Sequence, residues 1–190
     1  MIYSGEDWAL DEVERAVYED CAFHDVDWSE ARLTGCTFTR CEFGNVRFNA
    51  AELTSCAFLQ CTVRRSSFFG ATLTECKLTG TSFAETSLRP LTVDGGDWGF
   101  VSLRGQDLAG VSLRNVRLRE ADLEGATLAK ADLRGADLSN AVLRNAILKG
   151  ADLRGADLDG VALREVDLAG ATIDMSPGRR PRHRHAARGG

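Results

Sequence analysis

A hydrophobic residue returns at every fifth position along most of this sequence. Between Ala129 and Gly160 that residue is leucine in six consecutive units: Leu133, Leu138, Leu143, Leu148, Leu153 and Leu158. In an α-helix, side chains five residues apart are rotated by roughly 140°, so the leucines would be spread around the whole helix. In a flat strand they would alternate between the two faces of the sheet. A period of five therefore excludes both structures.

Each unit of five fits a short extended segment followed by a corner. If the recurring apolar residue is position i, the residue at i−2 is usually small, and both would face inward. Positions i−1, i+1 and i+2 are mostly polar or glycine. Twelve of the 19 glycines and four of the five asparagines stand at i+2 between Cys21 and Asp174. Because both residue types tolerate a positive φ, i+2 is predicted to be the corner.

The register is unbroken over most of the chain. Counting back from Ile173, every i position as far as Phe23 is apolar, which makes 31 consecutive units. With 44% hydrophobic residues, chance gives such a run a probability on the order of 10^-11. All six cysteines stand at i−2 and form two columns if four units make one coil. The sequence predicts an all-β solenoid with a square cross-section, about 20 residues per coil and about seven to eight coils.

The two ends of the chain depart from the repeat. Glu6 and Asp11 occupy i−2 positions, where burial would be costly, so residues 1–20 are predicted to form an N-terminal cap and first irregular repeats. A short helix over residues 7–17 is the alternative, because its apolar residues share a helical face. The β-helix is predicted over 21–175. Residues 176–190 contain five arginines, with proline and glycine, and a disordered basic tail is predicted there.

Units such as "ADLRGADLSN" and "ADLRGADLDG" resemble the pentapeptide-repeat proteins, whose fold is a right-handed quadrilateral β-helix. The resemblance covers roughly Cys21 to Asp174. The stretch "SLRPLTVDGGDWGFVSLRGQDLAGVSLRNVRLRE" is similar to the mycobacterial fluoroquinolone-resistance subfamily, whose members inhibit DNA gyrase by imitating the shape and charge of duplex DNA. This resemblance implies a DNA-mimicking protein that binds DNA gyrase or topoisomerase IV. It would inhibit supercoiling or confer resistance to quinolone-like poisons.

The same stretch contains the irregular units of the repeat. Leu91, Gly96 and Gln106 break the small-residue rule at i−2, and Pro90 removes a backbone donor at a corner. These four residues are predicted to form a kink or hinge in the rod. A degenerate coil without a function is the alternative.

The uneven charge distribution fits a protein partner with a basic surface, and it fits a role in solubility equally well. The net charge of −5 divides into −9 in residues 1–30, −1 in 31–175 and +5 in 176–190. Outward aspartates are the predicted partner-binding residues: Asp97, Asp107, Asp122, Asp132, Asp137, Asp152 and Asp157. Arginines form ladders at i+1 and would partly neutralise these rows, as Arg134 and Arg154 would beside Asp132 and Asp152. A generic protein-interaction scaffold with another partner is therefore the alternative function.

Other functional classes have little support in the sequence. No catalytic, metal-binding or cofactor-binding motif is found, and His183 and His185 belong to the basic tail. No small-molecule substrate, direct nucleic-acid binding or membrane contact is expected. Because a signal peptide and an 18-residue apolar stretch are lacking, a cytoplasmic location is predicted. The open edge of the last coil suggests an end-to-end homodimer through Leu163, Leu168 and Ile173.

Overall fold

The backbone pairs with itself at a spacing of 20 residues. The computed structural model describes residues 1–174, and in it strand Ile2–Ser4 pairs in parallel with Ala22–His24. Five consecutive coils carry regular strands, and single bridges continue the same spacing as far as the pair of Asp152 and Thr172. The predicted all-β solenoid of 20 residues per coil is confirmed. The number of coils differs slightly from the prediction, because residues 1–20 also pair as a coil.

Short parallel strands form three of the four faces. They are β1 (Ile2–Ser4), β2 (Glu12–Glu14), β3 (Val17–Glu19), β4 (Ala22–His24), β5 (Arg32–Thr34), β6 (Thr37–Thr39), β7 (Glu42–Gly44), β8 (Glu52–Thr54), β9 (Ala57–Leu59), β10 (Thr62–Arg64), β11 (Thr72–Thr74), β12 (Ser82–Ala84) and β13 (Thr92–Asp94). The only helical segment in the described chain is a 3-10 turn at Leu163–Glu165.

Coils and faces are numbered from the N-terminus. Coil 1 is residues 1–20, and each later coil begins 20 residues further on. The first face contains β1, β4, β7, β10 and β12, and the third contains β2, β5, β8, β11 and β13. The fourth face contains β3, β6 and β9. The second face consists of residues 7–9 and their equivalents in each coil, which are joined by single bridges such as that between Asp7 and Asp27.

The corners stand where the sequence places them. The i+2 residue has a positive φ in every unit from Gly5 to Gly170 except at Pro90 and Glu165. Nineteen of these residues are not glycine, and their φ values run from 50° at Arg65 to 65° at Leu10. The left-handed conformation costs a non-glycine residue about 1–2 kcal/mol. The backbone hydrogen bonds between coils at these corners offset that cost, so Gly and Asn are favoured there but not required.

The core changes in composition along the rod. In the first coils, aromatic rings stack in columns, for example Tyr3 on Phe23 at 5.0 Å and Phe23 on Phe43 at 5.0 Å between ring centroids. From coil 6 as far as Leu168 leucine fills the i positions, and from coil 7 alanine fills most i−2 positions. Both halves are fully enclosed, as Phe43 and Leu123 show with no exposed surface. The hydrophobic core is therefore one column that runs the length of the solenoid.

The N-terminal segment contains no helix, so the alternative of a helix over residues 7–17 is wrong. Strand β2 lies within that range, and β1, β2 and β3 pair with the strands of coil 2. The rings of Tyr3 and Trp8 contact those of Phe23 and Trp28 at centroid distances of 5.0 Å each. Strand pairing and ring stacking thus impose the period of five as far as the N-terminus, and tertiary contacts override the local helical pattern.

Candidate partner-binding surface

The seven aspartates predicted to bind a partner do not lie on one surface. The solenoid register distributes them over four faces: Asp122 on the first, Asp107 on the second, Asp132 and Asp152 on the third, and Asp97, Asp137 and Asp157 on the fourth. A flat partner surface can meet only one or two adjacent faces of a square rod. The seven residues therefore cannot all act in one contact.

Arginines neutralise the pair of aspartates on the third face. The Arg134 guanidinium lies 2.6 Å from the carboxylate of Asp132 and 3.6 Å from that of Asp152. Arg154 binds Asp152 at 2.6 Å, and this hydrogen-bonded guanidinium lowers the pKa of Asp152 to about 2. The ladder that the sequence indicated is thus present. This row presents alternating charges rather than a negative edge.

Three more aspartates have an arginine partner from a neighbouring coil. Asp97 lies 3.4 Å from Arg117, Asp107 lies 2.5 Å from Arg89, and Asp122 lies 3.2 Å from Arg104. These pairs are largely exposed to solvent, so each contributes only about 0–1 kcal/mol to stability. Their main effect is on the surface potential, because each pair cancels a negative charge that a basic partner would otherwise meet.

Two of the predicted residues, Asp137 and Asp157, form no ion pair among residues 1–174. They are bridge partners in adjacent coils of the fourth face, about 4.8 Å apart along the rod. Each carboxylate accepts the backbone N–H two residues later, from Ser139 and Asp159 respectively, at 3.0 Å. These bonds fix the carboxylates on the backbone. Neither carboxylate has an ion-pair partner among residues 1–174, because Arg117, the bridge partner of Asp137 in coil 6, pairs with Asp97 instead.

One further member of this group was not predicted from the sequence. Asp159 is exposed and stands at the outward i+1 position of the same face, two residues after Asp157. We call Asp137, Asp157 and Asp159 the acidic row. The signal that would have found it is the absence of an arginine at the neighbouring outward positions one coil earlier, where Asp137 and Ser139 stand.

The four residues predicted to form a kink or hinge lie at a break in the backbone ladder. On the second face, no bridge joins Ser87 to Asp107, and the amides of Leu88 and Asp107 donate to no backbone carbonyl of residues 1–174. On the third face, Thr92 and Ser112 are still bridge partners, but the amides of Val93, Gly95 and Ser112 form no backbone hydrogen bond of ordinary geometry in the described chain. The equivalent amides one coil later are those of Leu108, Leu113, Asn115, Thr127 and Asp132, and all donate to a carbonyl at 2.8 to 3.1 Å. We call this break the seam.

The seam is open on one side of the rod only. On the fourth face, the amide of Trp98 still donates to the carbonyl of Arg117 at 2.7 Å, and on the first face Phe83 donates to Ser102 at 2.9 Å. Two surface grooves of about 480 and 510 Å³ follow the open side. Their linings include Gly95 and Arg114 in the first, and Pro90, Leu91 and Val111 in the second.

Gln106 and Gly96 adapt the chain to this break. The Gln106 side chain accepts the backbone N–H of Thr86 in the preceding coil at 3.3 Å and donates to the carbonyl of Arg104 at 3.4 Å. Gly96 has a φ of 111°, and a Cβ atom there would lie 2.3 Å from the carbonyl oxygen of Cys76. Gln106 thus supplies a partner for an amide at the seam, whereas glycine is required at position 96 by the close approach of coil 5 to coil 4. Movement at this junction remains a prediction.

Hydrogen exchange would measure how loosely the seam is held. We expect the amides of Leu88 and Asp107 to exchange at least about 100-fold faster than those of Leu108 and Thr127, because the first two have no carbonyl partner among residues 1–174 to hold them closed. The measurement is exchange resolved to single residues by NMR. Equal protection at the two sets of amides would show that the seam is as rigid as the rest of the rod.

The six cysteines belong to the packed core of the solenoid. All six cysteines are buried and free, and the thiol of Cys56 donates to the carbonyl oxygen of Leu33 at 3.3 Å. Burial raises the pKa of Cys61 to about 11, so its thiol stays protonated near neutral pH.

Within residues 1–174, no group of ligands could hold a metal ion, and no helix is long and apolar enough to cross a bilayer. His183 and His185 lie outside the described residues.

Family comparisons agree with the observed coil. The family described as "Pentapeptide repeat region" matches residues 12–88, and "Pentapeptide repeats (8 copies)" matches 100–135 and 136–173. The chain belongs to the pentapeptide-repeat family. Residues 89–99, between the first and second of the three matched ranges, are unmatched, and this is where Pro90, Leu91 and Gly96 interrupt the repeat. No curated protein sequence matches this pentapeptide-repeat protein.

Solved structures share the fold. A trypsin-treated arginine-to-glutamate variant of QnrB1, a plasmid-mediated fluoroquinolone resistance protein, is 23% identical, with a TM-score of 0.79 over 92% of this chain and 90% of that one. A trypsin-treated methionine-to-arginine variant of QnrB1 is 23% identical, with a TM-score of 0.56 over 92% of both chains. Full-length QnrB1 is 24% identical, with a TM-score of 0.51 over 92% of both. At this level of identity, the similarity establishes the solenoid fold.

Proposed function

We propose that this pentapeptide-repeat protein binds a bacterial type II topoisomerase, DNA gyrase or topoisomerase IV, by occupying a surface that normally holds DNA. In doing so it would inhibit supercoiling or protect the enzyme from quinolone-like poisons. The proposal places the protein in the cytoplasm, where these enzymes act, and it requires no catalytic group or cofactor. QnrB1, which has the same fold, is named as a fluoroquinolone resistance protein.

The acidic row is the observation that carries this proposal. A DNA-binding surface is basic because it contacts phosphates, so a protein that replaces DNA must present uncompensated negative charge. Of the seven predicted aspartates, only Asp137 and Asp157 lack an arginine partner among residues 1–174, and Asp159 extends the row. Residues 1–175 carry a net charge of −10, which would speed the encounter with a basic cleft. The fourth face is thus the contact face that the charges favour.

A supercoiling assay with two charge-reversal variants tests this assignment. We expect Asp137→Arg with Asp157→Arg to weaken inhibition of gyrase by at least about tenfold, because both uncompensated charges are reversed. The matched control is Asp132→Arg with Asp152→Arg, which makes the same change of net charge on the neutralised third face. We expect the control to weaken inhibition much less. The assay measures the concentration needed for half-inhibition, with and without a quinolone.

The outcomes separate the contact face from the partner. Equal losses in both variants would mean that net charge matters rather than the acidic row, and inhibition that persists in both would move the contact elsewhere. No effect of the native protein on gyrase or topoisomerase IV would overturn the proposal. The ion pairs on the other three faces favour an interaction scaffold for a different partner in that case, since a rod of alternating charges is not DNA-like.

A further inference from the structure

The N-terminal end of the solenoid is an open strand edge. Strands β1, β2 and β3 each lie at the edge of their sheet. The amides of Asp7 and Glu12 donate to no backbone carbonyl of residues 1–174, although the equivalent amides of Asp27 and Arg32 donate to coil 1 at 3.0 and 2.8 Å. Unpaired edges of this kind are templates for the addition of another strand.

The same end is also apolar. Ile2, Leu10 and Val17 are 73%, 70% and 74% exposed, and together with Met1 they make up half of the exposed large hydrophobic residues of the described chain. The rings of Tyr3 and Trp8 are only partly covered, because within residues 1–174 only coil 2 covers them along the rod. Ile2, Leu10 and Val17 stand at outward or corner positions, so the apolar surface that faces along the rod is that of the inward rings such as Tyr3 and Trp8. An edge that combines free backbone groups with such rings should bind another copy of the solenoid end to end.

Two carboxylates stand in the way of such stacking. Glu6 and Asp11 are the only charged residues at an i−2 position in residues 1–174. Their equivalents in coil 2, Val26 and Ala31, have no exposed surface because coil 1 covers them. A coil added to the N-terminal end would cover Glu6 and Asp11 in the same way, and no arginine or lysine stands at an i−2 position to pair with them.

We propose that Glu6 and Asp11 close the N-terminal end of the rod to a second copy of this chain. The inward positions of the last coil, Val161, Val166 and Ala171, are apolar and offer no such barrier within the described residues. The two ends are therefore unequal partners for self-association. Contacts through the C-terminal end alone would stop at a pair, whereas open edges at both ends would permit indefinite filaments.

Sedimentation velocity of the full chain tests the proposal. The variant Glu6→Val with Asp11→Ala gives coil 1 the residues found at the equivalent positions of coil 2, Val26 and Ala31. We expect its end-to-end association to strengthen by about tenfold or more per carboxylate, so that species larger than those of the native protein form between about 1 and 100 µM. The association should reverse on dilution, which distinguishes stacking from aggregation.

A matched control separates position from charge. Glu12→Val with Glu14→Ala removes two carboxylates from outward positions of the same coil, and we expect it to sediment as the native protein does. Adding Ala16→Glu to the first variant restores one inward charge at this end and should restore native sedimentation. The proposal is overturned if the first variant sediments as the native protein does, if the outward control also forms larger species, or if Ala16→Glu fails to reverse the effect.

Discussion

Replacement of Gly96 by alanine is expected to lower the free energy of unfolding by at least about 3 kcal/mol. A Cβ atom at this position would lie 2.3 Å from the carbonyl oxygen of Cys76 and 3.2 Å from its amide nitrogen. Both atoms belong to the backbone of the preceding coil, so they cannot move aside as a flexible side chain would. The φ of 111° adds strain for any residue with a Cβ atom. Urea denaturation followed by circular dichroism measures the loss.

Gly105→Ala is the matched control for this effect. Gly105 also has a positive φ, of 64°, but nothing lies within 4 Å of the position of its Cβ atom. We expect a loss of about 1 kcal/mol there, because only the left-handed backbone conformation is penalised. If the two variants lost equal stability, the close approach of coil 5 to coil 4 at Gly96 would be energetically unimportant.

Truncation of Phe38 to alanine is expected to cost about 3–5 kcal/mol of stability. The ring has no exposed surface and contacts the rings of Tyr18 and Phe58 at centroid distances of 5.1 and 4.8 Å, and those of Phe23 and Phe43 at 5.9 and 5.4 Å. Its loss would leave a cavity between three coils, which the short strands cannot close without breaking their pairing. The measurement is the same urea titration.

Two other substitutions serve as controls for Phe38→Ala. Phe69→Ala removes a ring that is 57% exposed on the second face, and we expect a change within about 0.5 kcal/mol. Phe38→Leu places at this position the residue that fills it in coils 6 to 8 and should cost less than alanine, since most of the volume is kept. A Phe38→Ala variant as stable as Phe69→Ala would show that the aromatic columns do not hold the coils together.

The repeat, its phase and its coil length could be predicted from the sequence because all three follow from one period. The inward positions i and i−2 require residues that can be buried, and the corner at i+2 requires a positive φ. The residue type at each position therefore indicates whether it is inward, outward or at a corner. Coil 1 was predicted less well. Inside the rod an i−2 side chain is buried between two coils, whereas Glu6 and Asp11 at the end are covered by one coil only. Inward carboxylates can remain exposed there.

The surface charges were harder to predict than the core. Sequence spacing places Asp132 beside Arg134, but the net potential depends on which carboxylates the long arginine side chains reach across coils. Asp137 and Asp132 have the same position in their units, yet only Asp132 is neutralised. The seam was likewise visible in the sequence only as irregular residues. Which faces lose their backbone bonds depends on how Pro90 and its neighbours displace coil 5 from coil 6.

The spacing of 20 residues also limits how a rod of this kind can change in length. Deletion of one pentapeptide would rotate every later residue by a quarter turn, so that Asp137 and Asp157 would move to the third face. Deletion of a whole coil would instead keep each side chain on the same face and shorten the rod by about 4.8 Å. Viable insertions and deletions between relatives should therefore come in steps of twenty residues wherever one face must remain intact.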